Sequence, residues 1–135
     1  MKTVLILEDD VALADDWRIT LEARGYAVVH AQSASEAITI TQRIAVDLII
    51  ADIFIEAQGK PAADGGISLL GLVRVAQLEG QAALPVVAVT GAPLSGPYAT
   101  DVLEIARSLG AARSLQKPVT APEIVACVRE IIGDP

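Results

Sequence analysis

Aromatic side chains are scarce. One Trp, two Tyr and one Phe occur in 135 residues, although 53% of the chain is apolar. The core is therefore expected to be aliphatic. Cysteine is also scarce: Cys127 stands alone. That excludes a disulfide framework and a Cys-based metal site, and it fits a reducing compartment. Basic residues are few, ten against 17 acids, for a formal net charge of -7. An acidic chain with scattered Lys and Arg is a poor candidate for gripping nucleic-acid phosphates. No long apolar run follows Lys2, so no export signal is expected. The uncharged stretch from Gln81 to Thr100 is broken by Pro85, Gly91, Pro93, Gly96 and Pro97, which excludes a spanning helix there. Neither G-x-x-x-x-G-K-[ST] nor G-x-G-x-x-G occurs, so nucleotide binding is unsupported. The reading is a soluble, cytoplasmic protein with no nucleic-acid or membrane partner.

What is present is order. The length fits one domain, large enough to bury a core without disulfides or metals. Val4–Leu7 is a short aliphatic run expected to be a strand buried on both faces. A helix is expected from Val11 to Arg24, with Asp10 as N-cap, Gly25 as stop, and Ala14, Trp17 and Leu21 on its core face. Ala27–His30 reads as a second strand. Ser33 and Glu36 form an S-x-x-E box for a helix to about Ala45. The third strand is DLIIA, Asp47–Ala51, leading to Asp52. Residues Ile53 to Gly65 have no clean period and form a long connection, which is commonly functional. A helix over about Ile67–Leu78, a strand Pro85–Val89, a helix near Thr100–Leu109 and a weaker strand Ala112–Gln116 follow. The last helix opens with Thr120, Pro122 and Glu123, a T-x-x-E box, and stops at Gly133.

Strict strand–helix alternation with doubly buried strands predicts an α/β domain built on a parallel sheet. The expected fold is flavodoxin-like, (βα)5 and doubly wound, with strand order 2-1-3-4-5. Ligands in such folds bind beyond the carboxyl ends of the strands. There the chain places Glu8, Asp9 and Asp10 after strand one, Asp52 after strand three, Thr90 after strand four and Lys117 after strand five. Crowded carboxylates suit a hard divalent cation, and Mg²⁺ fits. A hydroxyl and an ammonium opposite them suit a tetrahedral anion. A carboxylate is also a competent nucleophile in phosphoryl transfer.

With LEDD at strand one, the acid after DLIIA, VTG at strand four and LQKP at strand five, the chain resembles the receiver domain of two-component response regulators. The resemblance covers essentially all of it, as a single receiver over 1–135 with no output domain. It implies phosphorelay signalling rather than an ordinary enzyme, the chain catalysing only its own phosphorylation and dephosphorylation. By resemblance, Asp52 is the phosphoacceptor. Glu8 and Asp9 hold Mg²⁺, together with Asp52 and the backbone carbonyl of Phe54. Thr90 follows the phosphoryl group, and Lys117 pairs with it, before a cis bond to Pro118. The implied partners are a histidine kinase or histidine phosphotransferase and a downstream protein. The latter would meet the face made by the fourth helix, the fifth strand and the fifth helix. The high apolar content is compatible with a homodimer.

The chain departs from the family in three places. Ser114 stands where receivers usually carry an aromatic switch, and Tyr98 is the nearest substitute. The stretch IFIEAQGKPAADGG resembles an insertion, with Glu56, Lys60 and Asp64, and with Pro61 and Gly65 later than usual. Thr90 is followed by Gly91, as in a subclass of standalone receivers that lack the aromatic. Ser114 and the altered loop favour a constitutive, receiver-like binding module that is not phosphorylated, and the complete set of Glu8, Asp9, Asp52, Thr90 and Lys117 disfavours it. A metal-dependent phosphatase is disfavoured, because Ile53 and Phe54 after Asp52 leave no D-x-D motif. Taken singly, Thr90 reads as a turn residue and Lys117 as a solvated lysine. His30 reads as a strand-end surface residue, Trp17 and Cys127 as core, and Asp15-Asp16 as a solvated helix face.

Overall fold

The structure is a computed structural model. It describes residues 1–52, 56–57, 60–61, 71, 73, 84–90 and 110–135, with the side chains of residues 56, 57, 60, 61 and 90 left aside. The aliphatic runs become strands β1 (Thr3–Leu7), β2 (Ala27–Ala31) and β3 (Leu48–Asp52). Two-residue strands β4 (Glu56–Ala57) and β5 (Lys60–Pro61) pair antiparallel with each other. Strands β6 (Val86–Thr90) and β7 (Arg113–Gln116) complete the main sheet. That sheet is parallel with order β2-β1-β3-β6-β7, which is 2-1-3-4-5 when its five members are counted alone. The predicted topology is the observed one.

Alternation along the strands divides the core. Leu5, Leu7, Ile49, Ala51 and Ala88 point to one face, where Ala34 and Ala37 of α2 (Ala34–Arg43) cover them. Val4, Ile6, Leu48, Ile50, Val87 and Val89 point to the other. There they meet Trp17 and Leu21 of α1 (Val11–Ala23) and Ile124 and Val128 of α3 (Ala121–Ile132). Complete burial of each Leu or Ile contributes roughly 1.5–3 kcal/mol, so both faces stabilise the central strands. Cys127 is buried in this second layer, and burial raises its thiol pKa.

The helix ends follow the local signals. Asp10 caps α1 by accepting from Leu13 N–H, and Gly25 takes the left-handed turn that follows, at φ +99°. Thr120 and Glu123 close a reciprocal capping box on α3. The box on α2 is shifted by one residue. Ser33 accepts from Glu36 N–H, but the Glu36 carboxylate accepts from Gln32 N–H. Of the helix expected over Ile67–Leu78, Gly71 and Val73 are described and both are helical. The helix expected near Thr100–Leu109 and Tyr98 lie outside the described residues, as does most of the Ile53–Gly65 connection. No helix among the described residues is long and apolar enough to cross a membrane.

The two chain ends meet at one pole of the sheet. Lys2 Nζ donates to the Ile132 carbonyl, and the Tyr26 hydroxyl donates to the Gly133 carbonyl at 2.6 Å. A Cβ on Gly25 would stand 3.1 Å from the Pro135 ring.

Candidate functional site

At the opposite pole, register brings the acids together. Leu7 pairs with Ala51, so Glu8 and Asp52 stand side by side one residue further on. Both are buried, with Glu8 at 0% and Asp52 at 2% exposure. Asp9 is exposed beside them. One carboxylate oxygen from each of the three lies within 4.8 Å of the others. Asp10 serves the helix cap instead, and its own N–H donates to Glu8 Oε1 at 3.1 Å.

Lys117 enters from the end of β7. Its Nζ lies 3.1 Å from Asp52 Oδ2, a hydrogen bond, and 3.0 Å from Glu8 Oε2. The second contact is an ion pair whose angles fall outside hydrogen-bond geometry. With 23% of its side chain exposed, Lys117 is a site residue rather than a solvated lysine. Burial opposes its charge, but Glu8 and Asp52 outweigh burial and hold its pKa above the ordinary lysine value. Glu8 is raised too, from the normal carboxyl value up to about 7, which here disfavours the charged form. Desolvation is the main cause, the neighbouring Asp52 charge adds to it, and Lys117 counters it. One ammonium does not neutralise the carboxylates gathered here.

Of the remaining expected residues, Thr90 ends β6, its backbone paired with Gln116 one step before Lys117. Phe54 lies outside the described residues. The Lys117–Pro118 peptide bond is cis, as the resemblance implied. Ser114 lies opposite Ala88, and its Oγ is buried with no hydrogen-bond partner among the described residues. Glu56 and Lys60 lie on the small β4–β5 ladder, and Asp64 lies outside the described residues. One contact escaped the sequence reading: half-buried His30 places Nε2 2.6 Å from the Glu8 carbonyl oxygen.

A doubly wound sheet of this order, with paired acids after its first strand, an aspartate ending the third and a lysine after the last, defines a receiver domain. The response regulator receiver domain family matches residues 4–129, and the chain belongs to that family. It is 27% identical over 133 residues to the polar-differentiation response regulator DivK of Brucella ovis and of Brucella abortus, covering 98% of each chain. Among solved structures it is similar to a CheY-like response regulator receiver domain protein from Methanospirillum hungatei. That match has 26% identity and a TM-score of 0.75 over 96% of this chain and 92% of the other. The fold is also that of a two-component response regulator from Clostridium difficile, with 21% identity and a TM-score of 0.79 over 98% and 96% of the two chains.

Proposed function

We propose that this receiver accepts a phosphoryl group on Asp52 from a phosphohistidine of a histidine kinase or histidine phosphotransferase. The observation that carries the reading is the buried Asp52 carboxylate, 3.1 Å from Lys117 and clustered with Glu8 and Asp9. An Asp52 oxygen attacks phosphorus, the P–N bond to the donor imidazole breaks, and the imidazole keeps the bonding pair and takes up a proton. Lys117 offers its ammonium to the phosphoryl oxygens, and Thr90 supplies a hydroxyl from the neighbouring strand end. The crowded, under-neutralised acids fit Mg²⁺, with Glu8, Asp9, Asp52 and the Phe54 carbonyl to hold it. Bound there, Mg²⁺ supplies positive charge for the phosphoryl oxygens.

The chain acts in the cytoplasm, and its output is a protein contact. The face made by the fourth helix, β7 and α3 is the proposed surface, for a downstream protein or a second copy. Intact mass after incubation with acetyl phosphate and Mg²⁺ tests the chemistry. The expected result is one Mg²⁺-dependent phosphoryl adduct, absent in Asp52→Ala. An adduct of equal size in that variant would sink the assignment. The second reading, a binding module that is not phosphorylated, is favoured by Ser114 at the aromatic position. It predicts no adduct and no binding of beryllofluoride.

A further inference from the structure

Glu8 is the first residue beyond β1, where the parallel ladder ends. Its peptide groups nevertheless remain tied to β2. Its N–H donates to the Ala31 carbonyl at 3.3 Å, and its C=O lies 2.6 Å from His30 Nε2. A carbonyl oxygen only accepts, so Nε2 donates. Both the neutral Nε2–H tautomer and the imidazolium carry that hydrogen. Consecutive residues of β2 thus grip Glu8 at both ends of its backbone. Its carboxylate is gripped separately, by Asp10 N–H and Lys117.

The carbonyl matters for Asp9. The Glu8 C=O and the Asp9 N–H belong to one planar peptide unit. Fixing the oxygen fixes the plane, and the plane sets where the Asp9 Cα leaves it. Asp9 itself is exposed, and the Asp10 that follows begins the capped helix. His30 therefore orients the link between the buried acid and the exposed one, without reaching into the pocket.

We propose that His30 is a positioning residue, whose hydrogen bond to the Glu8 carbonyl aims the Glu8–Asp9 pair at a shared cation. This rests on the reading of that pair as Mg²⁺ ligands. Groups that orient ligands from behind are typically worth about 10–100-fold in metal affinity. The same logic applies here through a backbone plane.

The test is Mg²⁺ titration by calorimetry, without phosphodonor, on wild type, His30→Leu and His30→Gln, with a thermal melt of each. Leucine has similar reach and no donor, whereas the glutamine amide nitrogen stands close to where imidazole Nε2 was. His30→Leu is expected to weaken Mg²⁺ binding about tenfold or more, and His30→Gln to keep it within about threefold of wild type. A His30→Leu variant that melts lower yet binds Mg²⁺ like wild type makes His30 merely structural and overturns the proposal. His30→Gln binding as weakly as His30→Leu also overturns it. If the wild type binds no Mg²⁺, the reading of the acids as a metal site falls first, and the proposal falls with it.

Discussion

The Lys117 ammonium sits 3.0 Å from Glu8, a carboxylate with no exposed surface, while also bonding Asp52 at 3.1 Å. One cation thus serves two buried anions. Lys117→Ala leaves both without it. Breaking a buried pair typically costs about 3–5 kcal/mol, and the partial exposure of this lysine reduces that to about 2–3 kcal/mol. Urea denaturation in EDTA is expected to show that loss, and millimolar Mg²⁺ to restore most of it. Asp52 should still take up phosphate in this variant, while its partner response is uncoupled. Equal stability of variant and wild type in EDTA would contradict the role given to the pair.

The Glu8 carboxyl, raised from 4.5 to about 7, makes stability depend on pH. The folded protein binds this proton more tightly than the unfolded chain does. The contribution of Glu8 is complete below about pH 4.5, is lost as pH rises to about 7, and changes no further above that. The span corresponds to on the order of 3 kcal/mol. Glu8→Gln removes the titration. Metal-free Glu8→Gln is therefore expected to gain stability relative to wild type as pH rises from 5 to 8, read as the difference between their denaturation midpoints. Mg²⁺ binding to wild type should tighten over the same range, because the metal needs the ionised form.

Ser114 buries a hydroxyl with no partner among the described residues. An unsatisfied buried polar group costs about 1–3 kcal/mol. Ser114→Ala is expected to raise stability by about 1 kcal/mol, seen as a higher urea midpoint at unchanged slope. A loss of stability would mean that the hydroxyl is satisfied after all.

The reciprocal Thr120–Glu123 box starts α3, which covers one face of the central strands. Thr120→Ala is expected to cost about 1 kcal/mol, the usual worth of an N-cap. Thermal unfolding checks this, and Thr120→Ser should recover most of the loss.

The strand order was legible because each central strand is an aliphatic run with helix-capping residues around it. The acids and the lysine were legible because each stands at or just past the carboxyl end of a strand, where position alone implies convergence. What was not legible depends on contacts across the sheet. Nothing local marks His30, whose partner is 22 residues away, just past the end of a neighbouring strand. The β4–β5 pair has two residues per strand, too short to carry any period. The Glu36 carboxylate chose the N–H of Gln32 over that of Ser33, a competition between two neighbouring donors that spacing does not resolve. The burial of Lys117 follows from the depth of Glu8 and Asp52, which only the assembled sheet sets.

The meeting of the chain ends has a practical consequence. Lys2, Tyr26, Gly133 and Pro135 gather at the start of β1, whereas the acids lie past its far end, about 20 Å away at roughly 3.3 Å per residue. A short linker from residue 135 to residue 1 would span that pole without approaching the chemistry, so the domain is suited to circular permutation. A fluorophore attached at either end would likewise report from a position where it does not crowd the acid cluster.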